Sequence, residues 1–370
     1  MATMQELQAL ACRLRERRST NPGLTIVITG ASSGIGLEAA KLLAIINPIH
    51  RIVLVCRTLE KAKAAKESVA SVFADASQYR CNWIPLACDH CSFESIRQFN
   101  AELRRQLDET YHPSKWAFNG IDVLCLNAAV LQAPESLPQF TKDGLEVTFQ
   151  TNHLAPFLIT NLTHDLMNPG GRIIFSTSGL HTSCKLDMTG MADPTTGAII
   201  KGFDMMDGSD YHYKKVYSLS KLCNVAICRE LNEKLRSSGV IATCFSPGLM
   251  LMSGLFRHQP DGVEQLIAVH NADALRRQKT VFWGAGALVF MAISDEAGRD
   301  GGLYWRDAES FAASKAAYGD EFCPVPISDD VAEPEQRTQL WNLSCEMVGI
   351  PSNYIDQPSS SHHGSFEVIG

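Results

Sequence analysis

Short apolar runs alternate with longer segments of helical periodicity along most of this chain. The runs are rich in β-branched and aliphatic residues and predict buried strands. They span 24–28, 51–56, 82–88, 121–126, 171–176, 240–245 and 302–305. Helical periodicity is found over 37–44, 62–73, 92–107, 141–166, 216–236 and 281–294, with Ser92 as an N-cap and a bend expected at Pro156. Strands that alternate with helices through long connections predict an α/β fold with a doubly wound parallel sheet.

Composition narrows the class of protein. The 370 residues are 45% hydrophobic and 20% charged, which suits a single domain with a large core. A net charge of −7 argues against nucleic acid or an anionic membrane as the main partner. No apolar run approaches the ~20 residues of a transmembrane helix. Residues 1–22 carry an amphipathic pattern interrupted by arginines, which predicts an N-terminal extension rather than a signal peptide.

The 12 cysteines are scattered along the chain, and several fall inside predicted strands and helices. That distribution indicates buried free thiols in a reducing compartment, so we expect a cytoplasmic protein. A group of Cys81, Cys88, His90 and Cys91 has the density of a metal site. No second Cys/His pair follows at zinc spacing, so we predict no metal.

A glycine-rich turn, Thr29-Gly-Ala-Ser-Ser-Gly-Ile-Gly36, follows the first predicted strand and opens the first helix. Glycines at 30, 34 and 36 allow a sharp turn and a close approach to a phosphate, while the helix N-terminus offers free N–H groups. The spacing differs from the G-x-G-x-x-G fingerprint, and taken alone the turn could be an ordinary tight turn. In context it predicts cofactor contacts, which would come from Gly30, Ser32, Ser33, Gly34, Ile35 and Gly36.

The ends of the next two strands bear on the choice of cofactor. Arg57 stands where NAD-preferring sites place an acidic residue, and an arginine there suits a 2′-phosphate. We therefore predict NADP(H), against the alternative of a solvated arginine. Asp89 ends the third strand and could either hydrogen-bond the adenine or cap a turn.

Tyr217 and Lys221 are four residues apart in a predicted helix, so both side chains lie on one face. A nearby ammonium is expected to lower the pKa of the phenol and make it a proton donor and acceptor near neutral pH. Ser178 ends the fifth strand and could hydrogen-bond a substrate carbonyl. Asn152 could position a water for proton relay to Lys221. Taken alone, a tyrosine and a lysine four residues apart are often a chance pair on the protein surface. Ser178 or Asn152 alone is equally weak evidence for a site.

Together these segments resemble the short-chain dehydrogenase/reductase family over residues 23–310. The matching set is Thr29–Gly36, Asn127-Ala-Ala, Asn152, Ser178, Tyr217-x-x-x-Lys221 and Pro247-Gly248. The resemblance implies a Rossmann-type fold and hydride transfer with a nicotinamide cofactor. It also implies that Tyr217 is the acid/base, Ser178 the carbonyl-orienting residue, Lys221 the ribose partner and Asn152 the water-holding residue. Asn127, Pro247 and Gly248 would line the cofactor cleft.

A finer resemblance is to the retinol dehydrogenase and light-dependent protochlorophyllide reductase branch of that family. Two segments carry it, Thr151-Asn-His-Leu-Ala-Pro-Phe157 and Tyr217-Ser-Leu-Ser-Lys-Leu-Cys-Asn224. Two others, Ser253–Arg257 and Gly302–Trp305, are more similar to the protochlorophyllide reductases. Protochlorophyllide reductases have a cysteine after the Pro-Gly and another before the Asn-Ala-Ala, where this chain has Leu249 and Leu126. Ala155-Pro156 also replaces their Gly-His. These departures favour an ordinary carbonyl/alcohol oxidoreductase over photoreduction.

Our leading hypothesis is therefore an NADPH-dependent reductase, or the reverse dehydrogenase, acting on a bulky apolar carbonyl or alcohol of polyketide, terpenoid, steroid or retinoid type. Residues 23–350 would form the reductase domain, with a Met- and Leu-rich substrate lid around 249–280 and a disordered tail at 351–370. The alternatives are a protochlorophyllide-type C=C reductase and a non-catalytic NADP(H)-binding sensor or scaffold. The sequence leaves the oligomeric state open: a homodimer is one option, since many members of the family are dimers or tetramers, but the added segments could block that packing.

Overall fold

The structure is a computed structural model of the chain, and its description covers a defined part of the sequence. The described residues are 23–77, 82–111, 119–133, 136–186, 211–251, 253–256, 278–307, 322–327 and 333–357, with Ala9, Ala11, Cys12, Tyr79 and Val331. Most of the predicted extension 1–22 and most of the predicted lid 249–280 lie outside these residues. The division of the chain into extension, domain and tail stays a prediction.

An eight-stranded sheet forms the centre of the described domain. Its strands are β1 Thr25–Thr29, β2 Arg51–Cys56, β3 Trp83–Ala87, β4 Ile121–Leu126, β5 Met167–Ser176, β6 Ile241–Phe245, β7 Tyr304–Asp307 and β8 Phe322–Val325. Their spatial order is β3-β2-β1-β4-β5-β6-β7-β8. Neighbours from β3 to β7 pair in parallel, and β8 pairs antiparallel with β7. This confirms the predicted doubly wound sheet and adds an edge strand that the pattern did not predict.

Helices cover both faces of the sheet. They are α1 Gly34–Ile46, α2 Leu59–Ala70, α3 Phe93–Thr110, α4 Ala155–Thr163, α5 Tyr213–Lys234, α6 Val281–Ile293 and α7 Pro334–Val348. Within β1, Ile26 and Ile28 join the core under α1, α2 and α6, while Val27 joins the core under α3, α4, α5 and α7. Because both faces are covered, the strands read as continuous apolar runs rather than as alternating ones.

The predicted long helix over 141–166 is wrong in its details. Residues Phe140 and Glu146 form an isolated antiparallel bridge, and only then does a short helical turn begin at Val147–Phe149. A π-helical turn, Gln150–Leu154, separates it from α4. Pro156, at the start of α4, has no N–H for the carbonyl oxygen four residues before it, so the regular hydrogen-bond pattern cannot run through.

A C-terminal helix, α7, was not predicted because its hydrophobic and polar positions show little helical periodicity. Trp341 of α7 is buried and meets Phe157 of α4 edge to face, with ring centroids 4.9 Å apart. Arg337 is 2% exposed and donates to Glu233 of α5 at 2.8 Å. Through these contacts α7 covers the outer side of α4 and α5.

The predicted disordered tail is wrong for residues 351–357. They form a short 3₁₀ helix, Tyr354–Asp356, whose Tyr354 and Ile355 are buried. The indole nitrogen of Trp341 donates to the carbonyl oxygen of Ser352 at 3.0 Å, which holds this segment against α7. Residues 358–370 lie outside the described part of the chain.

Candidate active site

The glycine-rich turn lies between β1 and α1, at the carboxyl end of the sheet. Gly30 and Gly34 have φ of +70° and +58°, a region that other L-residues rarely adopt. A side chain on Gly30 would come within 2.9 Å of the Cα of Ala128. A side chain on Gly36 would meet the carbonyl oxygen of Gly30 at 2.5 Å. Two glycines are thus needed for close packing, Gly30 against the loop after β4 and Gly36 within the turn itself.

The N-terminus of α1 has the features of an anion site. A side chain on Gly34 would meet nothing within 4 Å, so the turn leaves open space there. Ser33 is the N-cap but its side chain makes no capping hydrogen bond, and the first turn of α1 contains no acidic residue. Ser32 and Ser33 are exposed, and Ile35 is half-buried against Gly284 at the start of α6. This arrangement of free donors and positive dipole end fits a pyrophosphate.

Asn127 is held at the switch point of the sheet, between β1 and β4, where doubly wound sheets bind ligands. Its side-chain amide donates to the carbonyl oxygen of Thr29 at 3.0 Å. The hydroxyl of Thr29 accepts from the N–H groups of Asn127 and Ala128, at 2.9 and 3.1 Å. Sequence reasoning missed Thr29 as a structural residue of this cleft; a hydroxyl at the last position of β1 was the available signal.

Arg57 and Asp89 follow β2 and β3, as predicted. Arg57 is exposed, and Thr58 next to it caps α2 by accepting from the N–H of Lys61 at 3.4 Å. Asp89 accepts from the N–H of Cys91 at 3.1 Å through Oδ1. Asp89 therefore caps a turn, which was one of the two roles left open for it.

Tyr217 and Lys221 lie on one face of α5, below the end of β5. Both are buried, with exposed fractions of 5% and 2%. The Ser178 side chain is close enough to Tyr217 to favour the ionised form of its phenol. Lys221 donates to the carbonyl oxygen of Ser176 at 2.9 Å, and its Nζ lies 5.6 Å from the centroid of the Tyr217 ring. The structure thus brings Ser178, Tyr217 and Lys221 together, as the sequence predicted.

The pKa values of this pair differ from the sequence-based expectation. Burial raises the pKa of Tyr217 to about 12, and the hydrogen bond from Ser178 partly opposes that rise. Burial also lowers the pKa of Lys221 to about 7. The prediction that Lys221 lowers the pKa of Tyr217 is wrong here, because desolvation disfavours both charged forms. At neutral pH the phenol keeps its proton, which is the state of a proton donor.

Asn152 lies in the π-helical turn, and its side chain is occupied. Its Oδ1 accepts from the N–H of Val130 at 2.8 Å, and its Nδ2 donates to the carbonyl oxygen of Val130 at 2.9 Å. The same Nδ2 approaches the hydroxyl of Ser220 on α5 at 3.2 Å. The amide therefore ties the loop after β4 to α5, and a water would have to be held by the backbone carbonyl oxygen of Asn152. The predicted water-holding role stays a prediction.

Pro247 and Gly248 follow β6, on the other side of the cleft. Pro247 is buried, and Gly248 has a φ of +81°. Ser246 accepts from the N–H groups of Gly179 and Gly248, at 3.2 and 3.3 Å, and so joins the ends of β5 and β6. Sequence reasoning missed Ser246, although a serine beside the Pro-Gly was visible.

Two members of the Cys/His group at 81–91, His90 and Cys91, contact Thr151. His90 is buried with its Nδ1 3.3 Å from the carbonyl oxygen of Thr151, and the Cys91 thiol is 3.4 Å from the Thr151 hydroxyl. Within the described part of the chain, no three His, Cys, Asp or Glu side chains are grouped as a metal site would need. None of the described helices combines the length and the hydropathy needed to cross a membrane.

Comparison with known proteins gives consistent results. The model of the short chain dehydrogenase family matches residues 24–183. Protochlorophyllide reductase of Chlamydomonas reinhardtii is 29% identical over 354 residues, which cover 90% of this chain and 79% of that protein. Protochlorophyllide reductase A of Arabidopsis thaliana is 28% identical over 357 residues, with the same coverages of 90% and 79%.

Solved structures share the fold. A protein from Mycobacterium paratuberculosis superposes with a TM-score of 0.61 at 21% identity, covering 91% of this chain and 97% of that one. A short chain dehydrogenase from Burkholderia cenocepacia, solved in complex with NADP, gives a TM-score of 0.53 at 20% identity, with coverages of 77% and 96%. The chain is thus similar to short-chain dehydrogenases/reductases in sequence over residues 24–183, and it shares their fold.

Proposed function

We propose that this protein is an NADPH-dependent oxidoreductase that interconverts a carbonyl and an alcohol on a bulky apolar small molecule. The observation that carries the proposal is the pairing of the buried Tyr217 hydroxyl with the half-buried Ser178, with Lys221 on the same helix face as Tyr217. These groups lie at the carboxyl end of the same sheet as the glycine-rich turn, where doubly wound folds bind their ligands. A proton donor and a phosphate-binding turn at the same end of the sheet are what a reductase with a nucleotide cofactor needs.

The cofactor assignment rests on the open anion site and on Arg57. Ser33, Gly34 and the N-terminus of α1 would hold the pyrophosphate, and exposed Arg57 would pair with the 2′-phosphate of NADPH. Asn127 would line the cleft from β4. The Burkholderia relative solved with NADP supports the choice. NADPH, when bound, supplies the hydride.

The residues of the chain then account for proton delivery. The Ser178 hydroxyl oxygen accepts from the N–H of Leu180 at 3.2 Å, so its own proton can be donated to a substrate carbonyl oxygen. Tyr217 holds its proton at neutral pH and donates it to the same oxygen as negative charge develops there. Lys221, with its pKa lowered to about 7, can return a proton toward Tyr217. Asn152 would hold a relay water through its carbonyl oxygen.

The apolar substrate class is supported by exposed apolar side chains in the segments that follow β4 and β5, the strands whose carboxyl ends lead to the site. Leu180, two residues after Ser178, is 45% exposed, and Leu137 and Phe140 in the loop after β4 are 82% and 48% exposed. Exposed large apolar residues near a site are typical of surfaces that bind apolar ligands. In the predicted lid, Met250 and Leu251 are buried in the domain, so only the remainder of 249–280 could contact a substrate.

A C=C reductase of the protochlorophyllide type is the second candidate, favoured by relatives that carry this name over about nine-tenths of the chain. Against it stand Leu126 and Leu249, which replace two cysteines of those enzymes. Leu126 is 4% exposed at the end of β4. A non-catalytic NADP(H)-binding role, the homodimer and the cytoplasmic location stay predictions.

The test is an NADPH-oxidation screen of the full chain against aldehydes, ketones, quinones and enones of graded size. Turnover of ketones or aldehydes that is lost in Tyr217→Phe, with NADPH affinity changed less than about threefold, is expected. Turnover confined to enones or to an illuminated tetrapyrrole would transfer the assignment to the second candidate. Undiminished turnover in Tyr217→Phe would contradict the role of Tyr217, and NADPH binding without any turnover would favour the sensor.

A further inference from the structure

The carbonyl oxygen of Asn152 has an unusual environment. In a regular α-helix it would accept from the N–H of residue 156, but that residue is a proline. A side chain supplies a donor to this carbonyl oxygen. Asn224, one turn after Lys221 on α5, donates from its Nδ2 at 2.8 Å. Since Asn152 also binds Val130 of the cofactor cleft, this contact fixes the distance between α5 and the loop after β4.

His153 determines which way the Asn224 amide points. The Nδ1 of His153 lies 3.1 Å from the Oδ1 of Asn224, and its Nε2 lies 3.0 Å from the hydroxyl of Ser344 on α7. All three residues are buried. Burial lowers the pKa of His153 to about 4, so the imidazole is neutral at pH 7 and has one N–H.

The position of that N–H follows from counting donors and acceptors. If it were on Nε2, a lone pair of Nδ1 would face a lone pair of the Asn224 oxygen. Turning the Asn224 amide over would relieve that clash, but it would place two carbonyl oxygens 2.8 Å apart at Asn152. Only a hydrogen on Nδ1 lets Asn224 accept from His153 and donate to Asn152. The bare Nε2 then accepts the one hydroxyl hydrogen of Ser344, which in the absence of that contact would go to the carbonyl oxygen of Leu340, 2.8 Å away.

We infer that His153, as the neutral tautomer protonated on Nδ1, is a positioning residue that orients the Asn224 amide and thereby holds the carbonyl oxygen of Asn152 in place for proton relay. The relay part of this inference rests on the proposed function, whereas the tautomer of His153 and its hydrogen bonds are independent of that function. Through Ser344 the same series of hydrogen bonds connects α7, which shows little helical periodicity in the sequence, to α5, the helix of Tyr217 and Lys221.

Two matched substitutions of His153 distinguish the effect of its Nδ1–H group from the effect of losing the imidazole ring. The amide nitrogen of an asparagine can occupy the place of Nδ1, whereas that of a glutamine reaches the place of Nε2. His153→Asn should therefore keep kcat within about threefold, and His153→Gln should lower it about tenfold or more. Both should leave the KM for NADPH nearly unchanged, and both lose the same ring from the core. Equal kcat values for the two variants would overturn the inference.

Ser344→Ala serves as the control on the other ring nitrogen. It removes the partner of Nε2 but leaves the Nδ1–H in place, so stability should fall while kcat stays within about twofold. A tenfold fall of kcat in Ser344→Ala would show that the Asn224 contact is not the important one, and would overturn the inference as well.

A spectroscopic measurement tests the tautomer without any substrate. In the full chain labelled with ¹⁵N-histidine, the His153 signals are assigned by their loss in His153→Asn. Between pH 6 and 8 we expect a protonated Nδ1 and a bare Nε2. The opposite tautomer, or a ring protonated on both nitrogens, would overturn the inference even if the enzyme is active. An inactive wild-type chain with the expected tautomer would count against the proposed function alone.

Discussion

The Nζ of Lys221 lies 5.6 Å from the ring centroid of Tyr217, yet it donates to the carbonyl oxygen of Ser176 at 2.9 Å. Lys221 is 2% exposed, and burial is the cause of its lowered pKa. No ion pair of Lys221 is found among the described residues. The buried lysine therefore lowers the stability of the fold, as is common for charged groups in active sites, which is consistent with the role proposed for it.

Replacing Lys221 should stabilise the protein while removing activity. The folded-state pKa is about 7, against an ordinary 10.5, so between these values the unfolded chain binds more protons and stability rises with pH. Lys221→Met should raise the free energy of unfolding by about 2 kcal/mol at pH 6–7, after the lost hydrogen bond to Ser176 is counted. The gain should shrink as the pH approaches 9.5.

Urea unfolding of Lys221→Met and wild type at pH 6.5 and 9.5 measures this effect. Lys234→Met is a control, because Lys234 is on the same helix but at its solvent-facing end, over the ring of Trp341. A variant that is less stable than wild type at pH 6.5 would contradict the prediction.

Mild acid should destabilise the protein through buried histidines. Burial lowers the pKa values of His90 and His153 to about 4, below the ordinary 6.5. Between pH 4 and 6.5 the unfolded chain therefore binds more protons than the folded one, and stability is lost as the pH falls through this range. Each group should contribute on the order of 2 kcal/mol of loss at pH 5 relative to pH 7.

Equilibrium unfolding at pH 7 and pH 5 provides the measurement. His153→Asn should have a smaller pH dependence than wild type, by about 2 kcal/mol over this interval. If the variant and the wild type lose the same stability between pH 7 and pH 5, His153 is not neutral in the folded protein.

Two glycines of the same turn should respond differently to alanine. A methyl group on Gly34 meets nothing within 4 Å, so Gly34→Ala should cost only about 1–2 kcal/mol for the positive φ. It should weaken NADPH binding about tenfold or more, because the methyl enters the space proposed for the pyrophosphate. In Gly36→Ala the methyl would lie 2.5 Å from the carbonyl oxygen of Gly30, so folding itself should suffer.

Thermal unfolding and NADPH fluorescence titration of both variants distinguish these effects. The expected order is a larger loss of stability in Gly36→Ala than in Gly34→Ala. Unchanged NADPH affinity in Gly34→Ala would mean that the pyrophosphate binds elsewhere.

Arg57 should decide the preference between NADPH and NADH. It is exposed and follows β2, so removing it should leave the fold intact. Arg57→Ala should weaken NADPH binding about 10- to 100-fold, because a charge-assisted pair with the 2′-phosphate is lost, and change NADH binding less than twofold. Lys63 is another exposed cation and lies on α2, so Lys63→Ala is the matched control. Equal losses for the two cofactors would contradict the role of Arg57.

Much of the fold followed from local patterns. The limits of β2 and β4 agree with the apolar runs at 51–56 and 121–126, and Ser92 caps α3 by accepting from the N–H of Ser95 at 3.0 Å. These elements are continuous, largely buried apolar runs or have strong capping signals, so interactions between near neighbours in the sequence are sufficient to predict them. In contrast, β8 has only four residues and α7 has a mixed pattern, and both form because they cover exposed edges or faces of the rest of the domain.

For the site, sequence alone determined which residues could carry the chemistry. Ser178, Tyr217, Lys221 and the glycine-rich turn were identified because their residue types and spacings are tied to strand ends and helix faces. Tertiary structure decided what each group does there. Burial raised the pKa of Tyr217 and lowered that of Lys221, Asp89 was used to cap a turn, and the side chain of Asn152 was occupied by Val130. Desolvation and the number of hydrogen bonds a group makes depend on neighbours distant in the chain, and no local pattern contains them.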